Sequence, residues 1–157
     1  MAITVGDKAP SFSLVSDEKK AITLGDYKGQ NVVLLFFPLA FTGVCTQELC
    51  TMRDNMATYS DLDATILAVS VDSPFTLEKY KAEQKFNFPL LSDFNKDASR
   101  AYDSLYEEFP AFGMRGVSKR SAFVIDKEGT VRYKEICASP GDLPNFEAIK
   151  ETLSSLN

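Results

Sequence analysis

The chain has 157 residues, 45% hydrophobic and 25% charged, which excludes a disordered tract and fits one domain, residues 1–157, with a buried core. Its net charge of −5, without a Lys/Arg cluster, speaks against nucleic acid or an anionic membrane as the main partner. Three cysteines and no histidine exclude imidazole metal sites and cysteine–histidine dyads, so neither a metal nor another cofactor is expected.

The opening "MAITVGDKAP" lacks the apolar stretch of a secretory signal. The longest apolar run, Val32 to Phe41, contains Pro38 and falls far short of the ~20 residues of a spanning helix. A soluble, cytoplasmic protein is expected, and in a reducing compartment an odd number of cysteines points to reactive thiols rather than structural bridges. "SFSLV" and "AITL", separated by "SDEKK", form an N-terminal hairpin extension. "NVVLLFF" is continuously apolar, as a central strand covered on both faces is. Cys45, Leu49, Met52, Met56 and Tyr59 then recur at three- and four-residue steps, one face of a helix.

"ATILAVSV" is a second buried strand, and "DSP" opens a helix over Pro74 to Phe86. "SAFVID" and "TVRYKEI", joined by "KEG", form a hairpin, and a helix over Asn145 to Leu153 follows. This order predicts an α/β fold with a central mixed sheet, parallel in the middle and flanked by helices. With a reactive cysteine opening the first helix, it is the order of a thioredoxin-like fold.

Cys45 lies where "NVVLLFF" hands over to that helix, and unpaired backbone N–H groups at a helix start favour a thiolate. An ordinary thiol with a pKa of ~8.5 is about 3% ionised at pH 7, so complete ionisation gains only about thirtyfold. Nucleophilicity also falls with pKa, so fast attack on a weak electrophile needs the leaving group stabilised as well. Thr42 stands at N-cap to N3 spacing from Cys45 and Pro38 ends the strand; from the residues alone, capping and strand termination explain both.

"PLAFTGVC" resembles the peroxiredoxin signature Pro-x-x-x-Thr/Ser-x-x-Cys, and the similarity runs from "VGDKAPSFSL" through "PLLSDFNKDASRAY" to "RSAFVIDKEGTVRY". "FPLAFTGVCTQEL" is especially similar to the alkyl hydroperoxide reductase E subgroup. The resemblance implies a thiol-dependent peroxidase of hydrogen peroxide and organic hydroperoxides, with Cys45 attacking the peroxide and becoming a sulfenic acid. It implies that Thr42 binds the thiolate and the peroxide, and that Pro38 shields the sulfur from water. Arg120, just before "SAFVID" and preferred over Arg115 on spacing, would steady the thiolate and the leaving oxygen. Glu48 matches an acid that orients this arginine, although a carboxylate in a helix's first turns needs no such role. Phe37, Leu39 and Phe41 are expected to wall the pocket, although core packing is the stronger default for Phe37.

Cys50 departs from that subgroup and instead resembles peroxiredoxin Q (bacterioferritin comigratory protein), whose Cys-x-x-x-x-Cys supplies a resolving thiol. It lies one step off the apolar stripe, so burial is not its evident purpose. Cys137 shares parity with Val131 and Tyr133, which suits an inward structural cysteine, with resolving as its alternative. The electron donor would be thioredoxin, glutaredoxin or a similar thiol, and the resemblance implies a homodimer. A one-cysteine peroxidase using an external thiol and a peroxide sensor acting through a partner protein are the competing functions. A thioredoxin-like exchanger is disfavoured, because Cys-x-x-Cys is absent.

Overall fold

The computed structural model describes residues 3–157 and begins with the expected hairpin. Strands β1 (Ser13–Ser16) and β2 (Ala21–Thr23) pair antiparallel, with Leu14 opposite Ile22. A 3-10 turn at Leu24–Tyr27 leads into β3 (Asn31–Phe36), buried along its whole length. Then come α1 (Gly43–Asp54), α2 (Met56–Asp61), β4 (Ala64–Ser70), α3 (Pro74–Gln84), β5 (Leu90–Ser92) and α4 (Asp97–Ala101). The short strands β6 (Leu105–Tyr106) and β7 (Val117–Ser118) pair with each other. The hairpin β8 (Ser121–Ile125) and β9 (Val131–Ile136) and the helix α5 (Phe146–Leu156) complete the chain.

Seven strands form one sheet in the order β2–β1–β5–β4–β3–β8–β9. β3, β4 and β5 are parallel and the rest antiparallel, the expected mixed sheet. Alternation along β3 sorts the core into two layers. Val33 and Leu35 meet Leu49 and Met52 of α1, Tyr80 of α3 and Ile149 of α5, whereas Val32, Leu34 and Phe36 meet Phe12, Tyr102 and Phe123. Each fully buried Leu, Val or Phe side chain contributes about 1.5–3 kcal/mol, so this central strand is the best-anchored part of the sheet. Among the described residues no helix is long and apolar enough to cross a membrane.

Two expectations are corrected. The single helix drawn from Cys45 to Tyr59 is two, because at Asn55 the side-chain amide donates to the Thr51 carbonyl (2.8 Å) and competes with the helical backbone. The buried stripe runs through the break, from Leu49 and Met52 to Tyr59. The helix drawn to Phe86 stops at Gln84, since Lys85 adopts the left-handed conformation (φ 58°). The expected N-terminal hairpin is present, and through the pairing of β1 with β5 it forms the edge of the main sheet. At the other end, Asn145 is the N-cap of α5, its side chain accepting from the Ala148 amide (3.0 Å), and the helix runs on to Leu156.

Candidate active site

The loop between β3 and α1 is pinned at both ends. The Phe37 amide donates to the Val69 carbonyl (2.9 Å), and the Ala40 amide donates to Asp72 Oδ2 (2.8 Å), which the Ser70 hydroxyl also holds (2.7 Å). Phe41 then takes a left-handed turn (φ 64°), a strain of about 1–2 kcal/mol that the two anchors maintain. The turn delivers Thr42 to the N-cap position in extended geometry. Its hydroxyl does not cap the helix; its one proton goes to the Leu39 carbonyl (2.8 Å) and so not to the Cys45 sulfur, which corrects the expected bond from Thr42 to the thiolate.

Cys45 occupies the first turn of α1, 1% exposed. Arg120 approaches it from the start of β8, and Nη2 donates to Sγ at 3.3 Å. Nη1 donates to Glu48 Oε1 at 2.5 Å, while Nε (3.2 Å) and Nη2 (2.9 Å) both reach the Pro140 carbonyl. The guanidinium is therefore fixed on three sides, with one edge towards sulfur. Burial would lower its pKa, but the charges of Glu48 and Cys45 more than offset this and hold it above the ordinary arginine value. Glu48 is fully buried, and its Oε2 has no partner among the described residues. Burial pushes its carboxyl up to about 7 against the opposing pull of Arg120.

That shift carries a prediction about stability. Between the ordinary 4.5 of a free glutamate and about 7, the folded protein binds a proton that the unfolded chain releases. The contribution of Glu48 is therefore full below pH 4.5 and is lost as pH rises through about 7, a swing on the order of 3 kcal/mol. Urea midpoints of wild type and Glu48→Gln across this window should diverge on the alkaline side, with the variant flatter. Parallel curves would place the titration elsewhere.

Pro38, Leu39, Thr42, Cys45 and Arg120 line one cavity of about 310 Å³. Phe37 does not. It is fully buried and continues the parity of Val33 and Leu35 into the helix-covered layer, 6.2 Å from the Tyr80 ring. Phe41 does not either, because its left-handed turn swings the ring, half exposed, onto Tyr80 at 4.9 Å. Phe109, Phe112, Met114 and Pro140, none of them expected from the sequence, complete the cavity wall. The signal was there in "EEFPAFGMRG", where apolar side chains stand in a Pro/Gly segment that can form neither helix nor strand. Phe112 is 92% exposed, so no core packing explains it.

Cys50 is half-buried on α1, its thiol donating to Gln84 Oε1 (3.6 Å). Cα atoms five residues apart in a regular helix are about 8.7 Å apart, beyond the roughly 4.4–6.8 Å that a disulfide spans. All three cysteines are free. Cys137 is buried beside Arg120, its amide donating to the Arg120 carbonyl (2.9 Å). Burial and the charges of Glu135 and Glu48 push its thiol up to about 11, which makes it a poor nucleophile at neutral pH. Among the described residues no group of three or more His, Cys, Asp or Glu could hold a metal ion.

The AhpC/TSA family profile matches residues 5–134. Over 157 residues the chain is 36% identical to alkyl hydroperoxide reductase E of Mycobacterium tuberculosis, covering 98% of each. Over 130 residues it is 38% identical to peroxiredoxin Bcp of Bacillus subtilis, covering 82% of each. A peroxiredoxin-like protein from Aquifex aeolicus superposes with a TM-score of 0.90 at 26% identity, over 100% of this chain and 90% of that one.

Proposed function

The chain belongs to the AhpC/TSA family, a thiol-dependent peroxidase on the thioredoxin-like fold of the peroxiredoxins, and from that premise we propose that Cys45 is its peroxidatic thiol and Cys50 its resolving thiol. The observation that carries the reading is the Arg120 guanidinium at 3.3 Å from Cys45 Sγ, at the base of a cavity and braced by Glu48. The Cys45 thiolate attacks the terminal oxygen of a hydroperoxide: the S–O bond forms, the O–O bond breaks, and the leaving oxygen takes a proton to become water or an alcohol. Arg120, with donors spread in a plane, stabilises sulfur before attack and the leaving oxygen during it.

Thr42, already donating to Leu39, keeps its lone pairs to accept the hydroperoxide O–H. Pro38 and Leu39 limit water at the sulfur, and Phe109, Phe112 and Met114 give an apolar wall that suits organic hydroperoxides as well as hydrogen peroxide. The chain works as one domain, since both apolar layers share a single sheet.

The sulfenic acid on Cys45 then condenses with the Cys50 thiol, releasing water and leaving a disulfide, which thioredoxin, glutaredoxin or a similar dithiol reduces. A cytoplasmic setting suits three free thiols. Phe41 in the β3–α1 loop, Phe75 at the start of α3 and Phe94 in the β5–α4 loop are exposed, apolar surface that suits a second copy and supports a homodimer. The deciding measurement is intact mass and peptide mapping after one equivalent of peroxide. Loss of two hydrogens, mapped to Cys45–Cys50, is expected. Gain of one oxygen would make it a one-cysteine enzyme, and a Cys45–Cys137 map would move resolution to the strand end. Sustained peroxide consumption with a thiol donor separates the enzyme from a sensor that reacts once.

A further inference from the structure

Both reacting sulfurs lie on α1, and the spacing of a regular helix keeps them from bonding, so the first turns must unwind before Cys50 can capture oxidised Cys45. Unwinding has a boundary. The second half of α1 is tied to the end of α3, where Arg53 Nη1 donates to the Gln84 carbonyl (2.5 Å) and the Cys50 thiol to Gln84 Oε1 (3.6 Å). Apart from the ties of Arg120 to Cys45 and Glu48, among the described residues one side-chain bond holds the first turns to a neighbouring element: Thr46 Oγ1 and Tyr80 Oη, 2.9 Å apart.

Tyr80 is a firm anchor. It is fully buried on α3, with Phe41 at 4.9 Å, Phe86 at 5.1 Å and Phe37 at 6.2 Å around its ring. Burial holds its phenol well above the usual range, so the hydroxyl stays protonated throughout neutral pH. When Thr46 leaves, an interior hydroxyl loses its partner, which favours the wound helix.

We propose that Tyr80 is a positioning residue for the resolving step: its hydroxyl latches Thr46, keeps the start of α1 wound around Cys45, and sets how the sulfenic acid divides between Cys50 and a second hydroperoxide. This rests on the reading of Cys50 as the resolving thiol. Capture by Cys50 joins the two sulfurs and releases water. A second hydroperoxide instead transfers an oxygen to the sulfenic sulfur, giving a sulfinic acid and an alcohol or water. A tighter latch lengthens the life of the sulfenic acid and favours the second route.

The test uses Tyr80→Phe, which keeps the ring and removes the hydroxyl, and Thr46→Val, which removes the other partner. Hydrogen exchange of the reduced proteins at the Thr46 to Leu49 amides should quicken about fivefold in each variant, the factor for one net hydrogen bond. In quenched-flow mass spectrometry the Cys45–Cys50 disulfide should form about fivefold faster, and the sulfinic-to-disulfide ratio at high peroxide should fall by a similar factor. The first oxidation of Cys45 should stay within about twofold, and the double variant should gain little beyond either single one. Unchanged exchange in both variants would overturn the latch, whatever Cys50 does. Faster exchange with an unchanged sulfinic-to-disulfide ratio, or fully additive effects, would also overturn it. Faster exchange in a protein whose wild type forms no Cys45–Cys50 disulfide would remove the reading of Cys50, and the proposed partition with it.

Discussion

Replacing Cys45 by serine should reduce peroxide consumption to the uncatalysed background, a loss of about a thousandfold or more. A serine hydroxyl is not ionised at neutral pH and offers the peroxide no comparable nucleophile, so no arrangement of the pocket compensates. The fold should survive. Cys45 is 1% exposed and tightly enclosed, but serine is slightly smaller, and its oxygen accepts the Arg120 bond that sulfur now takes at 3.3 Å. Initial rates with hydrogen peroxide and an organic hydroperoxide, paired with the thermal midpoint, check both halves. A folded variant that keeps near wild-type rates would remove Cys45 as the nucleophile.

Much of this site was legible because its chemistry is local in sequence. Pro38, Leu39, Thr42 and Cys45 fall within eight residues that a strand end and a helix start hold together, so their spacing fixes their meeting. Arg120 was legible only through the resemblance: nothing in periodicity says that a residue 75 positions from Cys45 will touch its sulfur, because the crossing follows from β8 pairing beside β3.

The wall of Phe109, Phe112 and Met114 belongs to a loop held by the Phe109 amide on the Met114 carbonyl (2.7 Å), a contact with no periodic pattern to announce it. Phe37 was legible as core, because its parity with Val33 and Leu35 points into the helix-covered layer whatever its proximity to the motif. Phe41 was not legible, since its direction depends on one left-handed turn that composition does not reveal. Strand β5 was invisible because three residues are too few for a period, and its pairing with β1 gives the hairpin its place in the sheet.

Replacing Arg120 by methionine should lower the second-order rate with peroxide about 10²–10³-fold, the usual loss when a donor to a developing oxyanion is removed. Ionisation alone is capped near thirtyfold for an ordinary thiol at pH 7, so the deficit should persist at a pH of about 10, where any such thiol is ionised. Full recovery on raising the pH would leave Arg120 with ionisation as its only role. Stability needs separate treatment, because methionine strands Glu48 in the core: its Oε1 loses the Arg120 bond and its Oε2 has no partner among the described residues. Breaking a buried pair from one side typically costs about 3–5 kcal/mol. Glu48, already pushed up to about 7 with arginine beside it, would escape part of this by holding its proton, so the single variant should be least stable at alkaline pH. The double variant Arg120→Met/Glu48→Gln removes the stranded charge and should recover most of the stability while recovering none of the rate. If the double variant regained activity along with its fold, the loss in the single variant would come from a disturbed core, and the contact at 3.3 Å between Arg120 and Cys45 would carry no transition-state role.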